Sequence, residues 1–550
     1  MKIKNLAILL LAGLLAGCGS TADDEKAAKG DIYTEVGTYP IVKEGETDSF
    51  TLFAALRPSV TSYNSDKNLF TRYLEDLTGV DLEFTNSVQA DFRQKLNVMM
   101  ISGEYTDVIL SAFYGPSELL LYGQQGLFIP LNDLIDQYAP NIKKALDENP
   151  LIKDAFTSDD GNMYSIPRIG KTKGTEYSHK MWINHVWLDN LGLEVPKTTE
   201  EFYQVLKAFK EQDANGNGDP DDEIPFSGSP TAWNADPTLF LLNAFIPISS
   251  YSFLNLDENK QIYQIRVTDE YKNYLKYMRK LYAEELLDPM VFTQTNQEYL
   301  KLFAAQDGFG TVGATTAGSV TTFAHTTDYE TWGQYSQIAP LEGPDGLISA
   351  ARAVDFGSDG LVITNKCDNP EVVLRVFDYM YTQEGVVKMS FGEVGDGRLG
   401  AAPEGSVNYL GEPVEYVRLG VDHSTDACWN RIGPDYQGSD FEMLFGINVG
   451  DLPDVDQLLY LSSVNDYAPV AQDVETIIPP LAFTTDESRT ITDLQLSLNT
   501  YFDESELAFI TGKKDIDKDW DAYLKQAEVL GLSQYLEVQQ TAYDRKYGNK

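Results

Sequence analysis

Residues 49–113 hold three apolar, strand-like runs separated by two helical ones, and that alternation leaves few ways to fold. SFTLFAALRP (Ser49 to Pro58) reads as a first strand. Leu69, Phe70, Tyr73, Leu74 and Leu77 then recur at helical spacing and stop at Gly79. VDLEF reads as a second strand, DFRQKLNVMMISGEY as a helix, and TDVILSAF as a buried third strand. Strands that alternate with helices bury both faces of a sheet under those helices, so the fold class predicted is α/β. GNMYSIPRIG looks like a crossover, after which KMWINHVWLDNLGLEVP opens a second unit. TDEYKNYLKYMRKLYAEELL is a long helix ending before Asp288-Pro289, and DGLVITNKCDNPEVVLRVFDYMYTQEG is a further strand-helix pair. The chain is therefore expected to visit two lobes more than once, with 48–168 plus about 336–400 in the first and 169–335 plus about 401–550 in the second. With 43% hydrophobic and 12% aromatic residues, 550 residues can fill two cores.

Ahead of this region, Lys2 and Lys4 precede an apolar run from Leu6 to Ala16 that is too short to span a bilayer comfortably, so residues 1–17 read as a secretory signal. Leu15-Ala16-Gly17-Cys18 resembles the bacterial lipobox, which implies that Cys18 becomes the acylated, palmitate-type lipid-bearing N-terminus after cleavage. The polar residues that follow make 18–47 a flexible tether, and the expected location is the extracellular face of the cell membrane. A formal charge of −42, from 42 Lys+Arg against 84 Asp+Glu, repels nucleic acid and anionic headgroups and disfavours both as partners. Cys367 and Cys428 could pair outside the cytoplasm, but two cysteines give no framework and the question stays open.

DANGNGDPDDEIP (Asp213 to Pro225) carries side-chain oxygens at alternate positions: Asp213, Asn215, Asn217, Asp219 and Asp221, with Gly218 at the turn. Ca²⁺ takes six to eight oxygens, and a tight loop of this pattern points them inward together. A helix-loop-helix hand would close with a glutamate at position 12, but Ile224 stands there, so Asp222 or Glu223 must close the site. TTEEFYQVLKAFKEQ leads in as helix and EIPFSG leads out as extended chain, which marks a structural calcium site of different geometry.

Enzyme signatures are weak. The histidines His179, His185, His325 and His423 form no metal-binding spacing, and no G-x-S-x-G occurs. SIPRIGKT has Ser165 where a phosphate loop needs glycine. GFGTVG (Gly308, Gly310, Gly313) follows a helix, NQEYLKLFAAQD, instead of the strand that a dinucleotide fingerprint requires. Sugars pair apolar faces with hydroxyl rims, so their sites combine flat aromatics with polar partners. Trp187 and Trp520 lie at helical core spacing. Trp233, Trp332 and Trp429 lie in irregular polar surroundings and are candidate ligand contacts, weighed against domain packing, with Asp236, Arg352, Asp355 and Arg431 as polar candidates.

LAGC, NVMMISGEYTDVIL, GNMYSIPR, the stretch from Trp182 through the acidic loop, YMRKLYAEELLDP, PLEGPDG, ITNKCDNPEVVLRVFDYMYTQEG and the closing FITGKKDIDKDWDAYLKQAEVLGLSQYLEVQQTAYDRKY together resemble the extracellular solute-binding lipoproteins of bacterial ABC importers, of the oligosaccharide-binding branch. The resemblance runs from about Ser49 to Tyr547. It implies a type II, periplasmic-binding-protein-like fold of two lobes joined by a hinge, a ligand cleft between them, ABC permease subunits as partners, and a monomer with no catalytic role. In that family the calcium loop usually runs D-x-[DN]-G-N-G-x-x-D-E-I-P. The extra residue in DPDDEIP leaves open whether Asp221 with Asp222 or Asp222 with Glu223 closes it. Oligosaccharide is the expected cargo, peptide the alternative cargo, and a surface sensor or adhesin the alternative use of the fold.

Overall fold

The structure, a computed structural model, describes residues 32–57, 60–304, 310–325, 328–396, 398–419, 426–447 and 453–548. The signal, Cys18, Gly308 and His423 lie outside the described residues. In chain order the strands are β1 (Asp48–Ala55), β2 (Val80–Ser87), β3 (Val108–Leu110), β4 (Ile166–Arg168), β5 (Lys180–Asn184), β6 (Ile224–Ser227), β7 (Leu254–Leu256), β8 (Ile262–Gln264), β9 (Val312–Ala317), β10 (Tyr335–Ile338) and β11 (Ser358–Ile363). A sheet of order β2-β1-β3-β11-β4 and another of order β10-β5-β9-β6 form the two lobes, β7 and β8 make a hairpin, and β12 (Leu399–Ala401), β13 (Tyr416–Arg418) and β14 (Phe445–Gly446) make a small third sheet.

The predicted alternation is the first lobe. β1, β2 and β3 run parallel, with the helices Leu69–Thr78 and Gln89–Ser102 as their connections. β1 is almost wholly apolar because both of its faces are covered. Phe50, Leu52 and Ala54 enter one core with Leu74, Leu110 and Phe377, whereas Phe53 and Ala55 meet Phe92, Leu96 and Val362 on the other side. Asn68 starts the first helix by accepting from Thr71 N at 3.1 Å, and Gly79 ends it at φ 71°.

In the second lobe the helix Thr199–Glu211 opens on a capping box of Thr198 and Glu201 and buries Phe202, Val205, Leu206 and Phe209 against Met181, Ile183 and Phe226. The helices Thr485–Ile510, Ile516–Val529 and Leu532–Tyr547 close that core with Trp520 and Tyr523 packed beside Phe509. Trp187 and Trp520 are buried, as their spacing predicts.

Three expectations need correction. The tether does not extend to 47: Tyr33 pairs with Val42, Ile41 and Val42 are buried in the first core, and the Arg375 guanidinium donates to Thr34 O and Glu35 O. The chain returns to the first lobe between Ile338 and Ser358, later than the expected 336, because β10 is the edge strand of the second sheet, paired with β5. Trp429 and Ile432 also belong to the first core, so the final departure lies beyond 401. Cys367 and Cys428 are free thiols. Among the described residues no helix is long and apolar enough to cross a membrane.

Candidate functional site

Strand register locates the face that each lobe turns to the other. β11 runs antiparallel to β3 and β4 antiparallel to β11, with Leu361 opposite Leu110 and Ser358 opposite Arg168. The chain thus leaves the first lobe after Arg168, and re-enters it before Ser358, at the edge where the parallel strands β1 and β3 have their carboxyl ends. In the second sheet, Lys180 is opposite Ala317 and Met181 is opposite Ile338. The start of β5 and the end of β10, which bound the crossings there, therefore sit at the carboxyl ends of the parallel pair β6 and β9. The lobes are joined through the edges where open α/β sheets hold ligands.

The crossings are tied together by polar contacts. Ile169 N donates to Asp435 O, and Asp355 accepts from Gly170 N at 2.7 Å and Gly357 N at 2.9 Å. Arg352 donates through Nε to Glu176 at 2.8 Å, and its backbone N–H reaches Ser249 Oγ. Arg545, near the C-terminus, adds a further link by pairing with Asp159 of the first lobe at 3.5 Å. Arg352 and Asp355, expected as ligand contacts, are thus committed to the connection between the lobes.

On the first lobe's edge, Phe113 follows β3 at φ 55° and is 51% exposed, and Arg57, which follows β1, lays its guanidinium 5.7 Å from the centre of that ring. Ser111, Phe113, Asn430 and Arg431 all adopt left-handed backbone there, as does Asn234 on the opposing lobe. Such conformations cost about 1–3 kcal/mol each and persist where surrounding structure enforces them, characteristically at ligand clamps. Asp359, buried beneath the loop after β3, accepts from Ser165 Oγ at 2.5 Å and from Tyr114 N at 3.3 Å, and burial pushes its carboxyl up to about 6. Arg431 donates Nε and Nη2 to the fully buried Asp435, both at 2.7 Å.

On the second lobe's edge, Trp233 is 48% exposed and lies flat over Gly318, where an added Cβ would come within 2.5 Å of the indole. Gly318 N, just after β9, donates to Trp233 O at 3.0 Å, and Asn234 Nδ2 donates to Ser178 Oγ, just before β5, at 2.8 Å, so the loop is held from behind by the segments at those strand ends. Asp236 lines a cavity of about 550 Å³ with Tyr251, Phe253 and Arg266, and burial raises its carboxyl.

Two tryptophans expected at the ligand lie elsewhere. Trp429 is wholly buried among Tyr63, Phe70 and Phe84 and donates Nε1 to Thr71 Oγ1 at 2.8 Å. Trp332 is 2% exposed and precedes the start of β10, the end remote from the crossing edge. Sequence reasoning did not single out Arg57 and Phe113, which lie in the loops just beyond the parallel strands β1 and β3, nor Arg168, the last residue of β4.

The acidic loop runs from the helix Thr199–Glu211 into β6, helix in and extended chain out as predicted. Its side-chain oxygens first organise its own turns: Asn215 Oδ1 accepts from Asn217 N, Asn217 Oδ1 from Asp219 N, Asp219 Oδ1 from Asp221 N, and Asp213 Oδ2 from Gly218 N. Asp222 accepts from the amide groups of Asn215 and Asn217. Glu223 is 7% exposed and accepts from Ala214 N at 3.0 Å, and burial raises its carboxyl. Among the described residues, one oxygen of Asp213 and one of Glu223 are buried with no partner, the feature that a cation in this loop would relieve. Among the described residues no three His, Cys, Asp or Glu side chains gather on one point, so such a site must also draw on asparagine and backbone oxygens.

A family model described as bacterial extracellular solute-binding protein matches residues 57–387. The chain is 31% identical, over the full length of both, to the fructooligosaccharide ABC transporter substrate-binding protein FusA of Streptococcus pneumoniae. It superposes with TM-score 0.70 on the structure of FusA in complex with kestose, at 28% identity over 92% of this chain and all of that one. The same score and coverage hold, at 27% identity, for the FusA EF-hand mutant in complex with fructo-nystose.

Proposed function

The chain belongs to the bacterial extracellular solute-binding protein family, and from that premise we propose that it captures an oligosaccharide between its lobes and hands it to the permease of an ABC importer. The observation that carries this reading is that each lobe has an exposed aromatic ring, Phe113 on one and Trp233 on the other, beside the carboxyl-end edge through which the lobes are joined. Flat rings meet the apolar faces of sugar residues, and the N–H and carboxylate groups around them suit hydroxyls. The full-length similarity to a fructooligosaccharide-binding relative supports a glycan as cargo. Of the residues singled out in the sequence, Trp233 and Arg431 stand at the ligand, Asp236 lines the cavity of its own lobe, and Arg352 with Asp355 holds the hinge.

In this reading Cys18 carries the lipid that keeps the protein at the outer face of the cell membrane, and the folded chain works as a monomer. Calcium sits in the loop 213–223, where Asp213, Asn215, Asn217 and Glu223 would hold it. Glu223 is the closing carboxylate because its buried oxygen is free, whereas Asp222 is engaged by two amides. The ion supplies charge neutralisation and stiffens the second lobe.

The test is a thermal-shift screen of the purified protein against oligosaccharides and short peptides at fixed calcium. A ligand at a hundred times its Kd stabilises the native state by about 2.7 kcal/mol, which raises the melting temperature measurably. Shifts with one glycan series are expected. Shifts with peptides alone would transfer the cargo to the peptide class.

A further inference from the structure

Resting on the reading of the cleft as a glycan site, we infer that the bound oligosaccharide carries a carboxylate, held by Arg57 and Arg168. Both residues stand on the crossing edge of the first lobe, Arg57 after β1 and Arg168 at the end of β4. Among the described residues neither guanidinium has a hydrogen bond or ion pair, and Arg57 Nε is buried without a partner. The neighbouring carboxylates are already engaged. Asp435 is held at both oxygens by Arg431, and Asp355 by the N–H groups of Gly170 and Gly357. Lys171 adds a fourth cation whose ammonium reaches only carbonyls, those of Ala353 and Val354.

Around Arg168, three guanidinium groups, its own and those of Arg57 and Arg431, face two carboxylates, Asp435 and Asp355, an excess of +1 in a chain of net charge −42. The excess has a cost in the free protein: burial and the charge of Arg431 push Arg168 down to about 10, and burial lowers Arg57 as well. Hydroxyls of a neutral sugar can accept from the guanidinium N–H groups but leave the charge uncompensated. A carboxylate answers both demands, since its two oxygens match the planar guanidinium fork. The Phe113 ring under Arg57 gives the same ligand an apolar surface beside its acid group.

Trigalacturonate and the neutral trisaccharide kestose are titrated calorimetrically into the wild-type protein and into Arg57→Gln, Arg57→Lys and Arg168→Gln, and the ligand-free melting temperature of each is recorded. Wild type is expected to bind trigalacturonate more tightly than kestose by about tenfold or more. Each Gln variant should weaken trigalacturonate by about tenfold or more, and by at least about fivefold more than it weakens kestose, which loses hydrogen bonds but no charge pairing. Arg57→Lys should lose less than Arg57→Gln, and ligand-free melting temperatures should stay level or rise, because an uncompensated charge is removed. Tighter binding of kestose by wild type, or equal binding of trigalacturonate by the Gln variants with their fold intact, overturns the inference and leaves the oligosaccharide reading standing. Binding of neither sugar class, acidic or neutral, overturns the oligosaccharide reading itself.

Discussion

At the scale of single residues, environment separates side chains that look alike in sequence. Trp233, Trp332 and Trp429 all lie in polar, irregular stretches, yet only Trp233 reaches solvent at the crossing edge. Trp233→Ala is expected to weaken glycan binding by about tenfold while leaving the ligand-free melting temperature within a few degrees. Trp429→Ala should do the reverse, with a loss of about 3–5 kcal/mol of stability from the emptied core. Calorimetric titration beside thermal melting separates the two effects. Local composition could not have made this distinction, because Trp429 is buried by Phe70 and Phe84, more than 300 residues away in sequence. Asp359 gives a pH signature. Its folded value of about 6 lies above the ordinary 3.8, so between the two the folded protein binds a proton that the unfolded chain does not. This contribution is fully present below about 3.8 and lost as pH rises through about 6. The protein should gain stability from pH 7 to pH 5, and Asp359→Asn should flatten that gain by on the order of 1 kcal/mol. An unchanged slope in melting temperature against pH would count against it.

At the scale of elements, the alternation in residues 49–113 was legible because β1 to β3 are buried on both faces and their helices carry clear stops, such as Gly79. The entry and exit of the acidic loop were legible for the same reason: helix periodicity ends at Glu211 and Pro225 forces extended chain. The burial of Glu223 was not, since the adjacent acids at 221, 222 and 223 carry no local mark of which one turns inward. Chelation of calcium is expected to lower the melting temperature, and Glu223→Gln to remove most of that dependence, with oligosaccharide affinity changed by less than about threefold. The calcium effect should also be larger at pH 7 than at pH 5, because the raised carboxyl of Glu223 competes for a proton in acid. Chelation that abolished binding at an unchanged melting temperature would assign the loop to the ligand site instead.

At the scale of the whole molecule, the two-lobed plan was legible through the resemblance of many segments in order, whereas the exact crossings were not. β10 and Trp429 were misplaced because antiparallel edge strands and returning segments carry no local mark of the sheet they join. The crossings define the face on which the account depends, since they put Phe113 of one lobe and Trp233 of the other at the joined edges. The most direct test is a double-mutant cycle on glycan affinity with Phe113→Ala, Trp233→Ala and the pair, measured by calorimetric titration. Capture between the lobes predicts that each single substitution weakens binding by about tenfold and that the pair falls further. If only one of the two substitutions had any effect, the glycan would be held by a single lobe and the interlobe account would be contradicted.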